Sequence, residues 1–177
     1  MPLTTGITSG AYNSTWNALN VGPTQPGGFR QRYSKSGREV KFDSVGDTPI
    51  DVIQLGMRMF IDMVLMDYNL ARLSKIEWPW NSVQGEDFTA GRSLFSDAKP
   101  FVMTACRNDI NPLTRTYPKT IIATGYDIEQ DFSGMSERVT PIRLLVFPVA
   151  YNAGGYATPT QPTGCGGLVY FFDTFVV

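Results

Sequence analysis

Apolar residues recur at every second position along much of the chain, which is the spacing expected for β-strands. In the segment 52–66 every odd position is apolar, while the even positions include Gln54, Arg58 and Asp62. The same polar residues follow Asp51 at intervals of three or four positions, which also fits one face of a helix. Methionine favours a helix here and an interior glycine opposes one, so the pattern leaves strand and helix open.

The other segments predict an all-β domain with one flanking helix packed on it. We predict strands at 29–35, 38–44, 101–106, 119–128, 139–150 and 168–177, and a helix at 70–77. Ser36 and Gly37 are predicted to form a two-residue hairpin turn, and residues 45–49 a second turn. Loops are predicted at 1–28, 81–99, 107–118 and in the Gly/Pro-rich segment 152–167. The length suits a single domain over residues 1–177.

The composition removes several classes of enzyme and metal site from consideration. The chain has no histidine, so it lacks the base of Ser-His-Asp and Cys-His arrangements and the imidazole ligand of common zinc sites. Its two cysteines, Cys106 and Cys165, form no CxxC pair, and whether they are free or joined stays open. Only 18% of the residues are charged, which hints that partner proteins cover part of the surface.

Charge is unevenly distributed along the chain, although the net charge is only −1. The segment 30–41 carries five basic residues and one acidic residue. The low net charge argues against nonspecific binding to nucleic acid, which requires a positive field. We interpret the charged runs as solvated loops and strand edges, and charge matching between copies of the chain is the alternative.

Two groups of carboxylates are candidates for chemistry. Asp43, Asp47 and Asp51 recur every four residues, but the alternating oxygens and final glutamate of a calcium loop are absent. Asp47 stands in Gly-Asp-Thr-Pro, which is typical of a turn whose side chain accepts a backbone N–H. The carboxylates of 127–131 could form a glycosidase pair, yet a solvated strand end is the favoured interpretation. We therefore predict no catalytic residue, no metal site and no cofactor, in a protein that is not an enzyme.

Five segments carry a resemblance to a known family by their order in the chain. They are TSGAYNSTWNALNVG, DSVGDTPIDVIQLGMRMFIDMVLMDYN, WPW, ATGYDIEQDF and VTPIRLLVFP. Together they resemble the tail tube (major tail) proteins of tailed bacteriophages. The positions that match a Gly-Asp-Thr-x-Ile-Asp segment and a following glycine are Gly46, Asp47, Thr48, Ile50, Asp51 and Gly56. The resemblance covers residues 1–80 and, more loosely, 119–150, whereas 81–118 and 152–167 match nothing in it.

The resemblance implies a fold and an assembly. Tail tube proteins are β-sandwiches or partly rolled β-barrels with a flanking helix, and six copies form a ring. The rings stack into a hollow tube that conducts DNA during ejection. The segment 52–68 would then be one long or two shorter strands, with Gly56 at a bend or bulge. The implied location is the virion, after synthesis in the cytoplasm of the host bacterium.

The resemblance also gives candidate site residues and partners. Gln54, Arg58 and Asp62 would face the lumen or a seam between subunits, while the odd positions from 53 to 65 pack inside. Turn and assembly-loop candidates are Gly46, Asp47, Thr48 and Asp51. A neutral or negative lumen would let DNA slide, so the basic run 30–41 should face elsewhere. Implied partners are further copies of the chain and the tape-measure, tail terminator and sheath proteins, with no membrane and no specific DNA binding.

Two other classes remain as alternatives. A head decoration protein or a neck (completion) protein would also be rich in β-structure and without chemistry, but would not stack into tubes. A carbohydrate-binding β-sandwich could use Trp16, Trp78 and Trp80 as stacking platforms.

Overall fold

The computed structural model describes residues 12–21, 24, 29–41, 46–66, 76, 91–105, 113–125, 140–150 and 168–175. Its strands are β1 Tyr12–Trp16, β2 Leu19–Asn20, β3 Arg30–Val40, β4 Asp51–Leu65, β5 Lys99–Ala105, β6 Leu113–Ile122, β7 Thr140–Val146, β8 Val149–Ala150, β9 Leu168–Val169 and β10 Phe172–Phe175. A short helix, α1, spans Leu94–Asp97. The prediction of a mainly β chain is confirmed.

One antiparallel sheet contains most of these strands. Its order is β2-β1-β5-β6-β7-β4-β3, and β8 pairs with β9 in a separate two-stranded sheet. One edge of β6 is shared, because β7 pairs with residues 120–122 and β10 with residues 113–116. The C-terminal strand β10 therefore pairs with the part of β6 that β7 does not reach.

The segment that fitted both a strand and a helix is a single strand of fifteen residues, β4. It pairs with β3 over most of its length and with β7 from Met59 to Leu65. In that half Met59, Ile61, Met63 and Leu65 are at most 2% exposed. Pairing with β3 and β7 fixes this segment as a strand. A strand places alternate residues on one face, so the apolar residues at odd positions of this half face the core.

The predicted hairpin turn at Ser36 and Gly37 is wrong, because β3 continues through both residues. The pairing jumps there from Ser36–Gly56 to Gly37–Gln54, so Leu55 is an extra residue in β4. This is a β-bulge, and it lies beside Gly56 as the resemblance implied. The turn lies further along, where residues 46 and 47 form a turn and the Ile50 amide donates to the Val40 carbonyl at 3.0 Å.

Part of the predicted N-terminal loop 1–28 is instead a β-hairpin, β1–β2. Asn17 and Ala18 connect its strands with φ values of 50° and 62°. Positive φ at both residues of a two-residue turn matches the twist of the flanking strands. Further along the predicted loop 1–28, Thr24 joins the sheet through a single bridge to Leu65.

The predicted loop 107–118 is wrong from Leu113 onward, because residues 113–118 begin β6. The strand predicted at 119–128 ends at Ile122, and Gly125 has a φ of 71° in the turn that follows. The helix α1 lies in the segment 81–99, which was predicted to be irregular. The predicted strand 101–106 is confirmed as β5, although Cys106 lies outside the described residues.

The two C-terminal strand predictions are confirmed with interruptions. The segment 139–150 divides into β7 and β8 at Phe147 and Pro148, and the segment 168–177 divides into β9 and β10 around Tyr170. Three other predictions fall outside the described residues, namely the helix at 70–77, the loop 152–167 and the state of Cys165. The exception within the first is Ile76, which is described as helical and buried.

The sheet curls around one apolar core. Gln31 Oε1 on β3 accepts hydrogen bonds from the Tyr117 hydroxyl at 2.8 Å and from Arg115 Nη1 at 3.0 Å, both on β6. A flat sheet would hold β3 and β6 about 14 Å apart, because β4 and β7 lie between them. The core cluster consists of Trp16, Val21, Met59, Ile61, Met63, Leu65, Ile76, Phe101, Tyr117, Ile142, Leu144 and Val146.

We predict that the substitution Ile61→Asp prevents folding. Ile61 is 1% exposed, and a buried carboxylate without a partner costs an amount comparable to the whole stability of a domain. The matched control is Val52→Asp in the same strand, because Val52 is 61% exposed. Thermal unfolding followed by circular dichroism should show a cooperative transition for the control alone. A near-native midpoint for Ile61→Asp would contradict the inward orientation.

Candidate functional site

The candidate site that we describe is a surface. Among them, no group of three or more Cys, Asp and Glu side chains could hold a metal ion. None of the helical segments that the structure describes could span a bilayer. The most unusual feature is a projecting β-hairpin, which we call the hairpin arm: residues 33–41 of β3 and its end, and residues 46–58 of the turn and β4.

The hairpin arm projects because its two strands differ from β7 in length. β7 pairs with β4 only from residue 59 to residue 65, so residues 51–58 have β3 as their sole strand partner among the described residues. Large apolar side chains are consequently left in solvent. They are Tyr33, Ile50, Val52, Ile53 and Leu55, with exposed fractions between 47% and 65%.

The expectation that every odd position from 53 to 65 packs inside is therefore only half correct. Met59, Ile61, Met63 and Leu65 are buried, and Met57 packs partly against the core. Ile53 and Leu55 are 50% and 65% exposed, so this part of the prediction is wrong for the single chain. The physical reason is that no described strand beyond β3 pairs with or covers this part of β4.

The arm also has two unpaired backbone edges. β3 is the last strand of the sheet, so its outer edge from Arg30 to Val40 pairs with no described strand. The β4 edge over residues 51–58 is likewise without a described strand partner. At its base the Tyr170 hydroxyl donates to the Met57 carbonyl, and burial raises the pKa of that hydroxyl. Such edges are ready to pair with another chain.

The predicted polar stripe of Gln54, Arg58 and Asp62 is divided by the bulge. Paired residues lie on the same face of a sheet, and Arg58 and Asp62 pair with Ser34 and Arg30, both even positions of β3. Gln54 pairs with Gly37, an odd position, and therefore lies on the opposite face. The stripe fails because Leu55 shifts the alternation by one residue, which a periodic pattern in the sequence cannot reveal.

Arg58 and Asp62 belong to a group that we call the arginine face, formed by Arg30, Arg32, Arg58 and Arg143 around Asp62. Asp62 Oδ1 accepts from Arg143 Nε at 2.6 Å. Arg32 Nε lies 2.7 Å from Asp62 Oδ2, close enough for an ion pair but without the alignment of a hydrogen bond. The arginine face extends over β3, β4 and β7, and Phe60 lies within it, 5.9 Å from the Arg143 guanidinium.

The turn candidates lie together at the end of the hairpin arm. Gly46 has a φ of 65°, which favours glycine, and Asp47 follows it in the turn. The Asp47 side chain is fully exposed, and Lys41 Nζ lies 3.7 Å from its Oδ1. Asp51 Oδ1 accepts from the Val52 amide at 2.7 Å. Thr48 is exposed, so the structure brings Gly46, Asp47, Thr48 and Asp51 into one solvent-facing tip.

A second polar network holds the base of the arm to the C-terminal strand. Arg115 donates from Nε and Nη2 to the two Asp173 oxygens at 2.6 and 2.7 Å and lies 4.3 Å from the Phe171 ring centroid. The hydrogen bond to Asp173 raises the pKa of the Arg115 guanidinium. The same guanidinium reaches Gln31. The predicted loop at 107–118 does not indicate this network, although the alternation in LTRTYP is typical of a strand.

Comparisons with known proteins do not identify a family. The search against protein-family models finds no match, and the search of curated proteins finds no match either.

We predict that Asp62→Ala lowers the free energy of unfolding by about 1 kcal/mol. The carboxylate is shared by Arg32 and Arg143, whose side chains are 56% and 34% exposed, so solvent weakens both pairs. The control is Asp47→Ala, which removes a fully exposed carboxylate and should leave the free energy of unfolding unchanged. Urea denaturation of both variants at low protein concentration measures the difference, and equal values would refute a structural role for Asp62.

Proposed function

We propose that this protein is a structural virion protein that self-assembles into hexameric rings, which stack into a hollow bacteriophage tail tube. The tube is the conduit through which DNA leaves the particle. The observation that carries the proposal is the hairpin arm, with five large apolar side chains in solvent and two backbone edges that pair with no described strand. The order of sequence segments that resembles tail tube proteins supports it independently.

The physical argument begins with what the arm requires. Long exposed strand edges with apolar side chains promote uncontrolled pairing unless another chain covers them. A contact between two different surfaces of identical chains closes into a ring when its rotation permits. Pairing of β3 or β4 edges around such a ring would join the subunits into one continuous inner barrel. The curled sheet of each subunit is compatible with the partly rolled barrel proposed for it.

The position of the arginine face limits how a subunit can be oriented in the ring. The resemblance implies that Arg58 and Asp62 face the lumen or a seam, and the expected neutral or negative lumen requires the basic run with Arg30 and Arg32 to face elsewhere. Arg30, Arg32, Arg58 and Asp62 lie on one face of the sheet, so all four must face the same environment. The basic run is expected to avoid the lumen, and a seam between subunits is therefore the position that satisfies both expectations. A basic lumen would retain DNA by its phosphates, and we accordingly propose that the arginine face lies between subunits.

The proposal includes no reaction and no cofactor. The protein would act by its shape and charge, and double-stranded DNA would pass without specific binding. Its partners would be neighbouring copies and, at the ends and surface of the tube, tape-measure, tail terminator and sheath proteins. Its place of action would be the virion tail, after assembly in the cytoplasm of the host bacterium.

A head decoration or neck protein is the second candidate, because exposed edges and apolar arms also serve other virion contacts. The carbohydrate-binding alternative is weaker. Trp16 is 2% exposed and its Nε1 donates to Thr120 Oγ1 at 3.1 Å, so its ring offers no platform for a sugar. Trp78 and Trp80 lie outside the described residues.

Electron microscopy of the purified protein, with mass determination on the same sample, tests the proposal. We expect rings of about six subunits or hollow tubes, because closure is the arrangement that leaves no arm uncovered. A discrete small oligomer without a central channel would contradict the tube and favour the decoration or neck class.

The role of the arm is tested by Leu55→Asp. Leu55 is 65% exposed at the bulge, so the variant should fold normally but fail to form rings, because the charge would be buried in the contact. The control is Leu168→Asp, which changes an equally apolar side chain, 42% exposed, outside the arm. Rings formed equally well by both variants would show that the arm does not mediate assembly.

A further inference from the structure

We propose that the arginine face of one copy is the docking site for the acidic tip of the hairpin arm of a second copy. The inference rests on the proposed self-assembly and names the surfaces that meet. The arm tip is defined here as residues 38–41 and 46–51. It would supply carboxylates to the arginines of the neighbouring subunit, in a head-to-tail contact.

The arginine face has a strong local excess of positive charge. Four arginines against the single carboxylate of Asp62 leave a charge of +3. Asp62 is already engaged by Arg32 and Arg143. Arg30 and Arg58 form no ion pair with any described residue and are exposed on the same face. Among the described residues nothing pairs with these two guanidinium groups, so an external anion can bind them on the surface that β3 and β4 form.

The arm tip carries the complementary charge. The arm tip, residues 38–41 and 46–51, contains three carboxylates and two basic residues, which gives a charge of −1. Its described carboxylates Glu39, Asp47 and Asp51 are exposed, and Lys41 Nζ lies 3.7 Å from an oxygen of both Glu39 and Asp47. Guanidinium groups bind carboxylates in a two-pronged arrangement, which gives such a contact direction as well as strength.

The two surfaces cannot meet within one chain. Asp51 lies seven residues along β4 from Arg58, which corresponds to about 20 Å of extended strand. The strand is paired with β3 throughout, so the tip cannot fold back onto its own arginine face. The complementary charges can therefore be brought together only between copies. Each copy would then give one tip and receive another, which is the heterologous contact that builds rings or filaments.

Apolar groups accompany the charges on both surfaces. Ile50 precedes Asp51 in the tip and Ile53 lies two residues beyond it, and they are 47% and 50% exposed. Phe60 is half-buried among the arginines. A contact that pairs the charges would also remove these side chains from water. This combination favours a protein surface over a nucleic-acid backbone as the occupant, because phosphates would leave the apolar groups uncovered.

A charge-reversal experiment tests the docking. The face variant is Arg30→Glu with Arg58→Glu, and the tip variant is Asp47→Lys with Asp51→Lys. Each variant alone would bring like charges together, so we expect its self-association to weaken on the order of tenfold or more. An equimolar mixture restores opposite charges at every contact and should recover assembly. Sedimentation velocity at several concentrations measures association, and circular dichroism verifies that each variant is folded.

The control variant is Lys99→Glu with Lys119→Glu, which makes the same change of charge on β5 and β6, outside the hairpin arm and the arginine face. It should associate like the wild-type chain. Normal association of the face variant alone, or a folded mixture that stays dissociated, would overturn the docking. So would a wild-type chain that remains monomeric at every concentration. Binding of a short DNA duplex that the face variant alone loses, with self-association unchanged, would assign the face to nucleic acid instead.

The docking and the tube can fail separately. If charge reversal dissociates the protein and the mixture recovers it, but microscopy shows only particles without a channel, the docking stands and the tube is wrong. If tubes form and charge reversal has no effect on them, the tube stands and the docking is wrong.

Discussion

The unequal lengths of β4 and β7 determine most of what is distinctive in this structure. β4 has fifteen residues, and its inner half pairs with β7 throughout and with β3 as far as Asp62, and packs against the core. Its outer half has only β3 beside it, because β7 ends opposite Met59. The same strand therefore supplies both the centre of the fold and the hairpin arm. This difference in strand length explains three features of the arm: its exposed apolar side chains, its edges without a described strand partner, and the distance between its tip and its base.

The bulge at Leu55 is the second determinant, because it changes which side chains share a face. Without it, Gln54 would lie with Arg58 and Asp62, and the strand would present one uniform polar stripe. With it, the arm exposes Val52 and Gln54 on one face and Ile53 on the other. The close approach of Gly37 to Val52, where an added Cβ would lie 3.0 Å from Cγ1, leaves little room for another residue at position 37. The arm therefore has two dissimilar faces, which suits contacts with two dissimilar surfaces.

Sequence patterns predicted the regular parts of the sheet better than its connections. β5, β7 and the inner half of β4 follow the alternation of apolar residues, because each has one face on the core. The β1–β2 hairpin was missed because its turn residues, Asn17 and Ala18, are not both of the usual Asn-Gly type. The start of β6 was missed because residues 113–118 stand in the segment predicted to be a loop, although Pro118 is buried within the strand. Ser36 and Gly37 suggested a turn, but they belong to the pairing beside the bulge. Glycine is common both in tight turns and at bulges, so its local preference does not distinguish them.

The sequence by itself determined the class of the fold, the absence of histidine chemistry and the turn at Gly46 and Asp47. These depend on composition and on preferences that act over a few residues. Only the tertiary structure decided that β4 is a strand, that its outer half stays uncovered, and that Arg143 joins Arg30 and Arg32 around Asp62. Those features depend on pairing between segments some 80 residues apart. Local periodicity carries no information on which strand edge, or how much of it, a distant segment will cover.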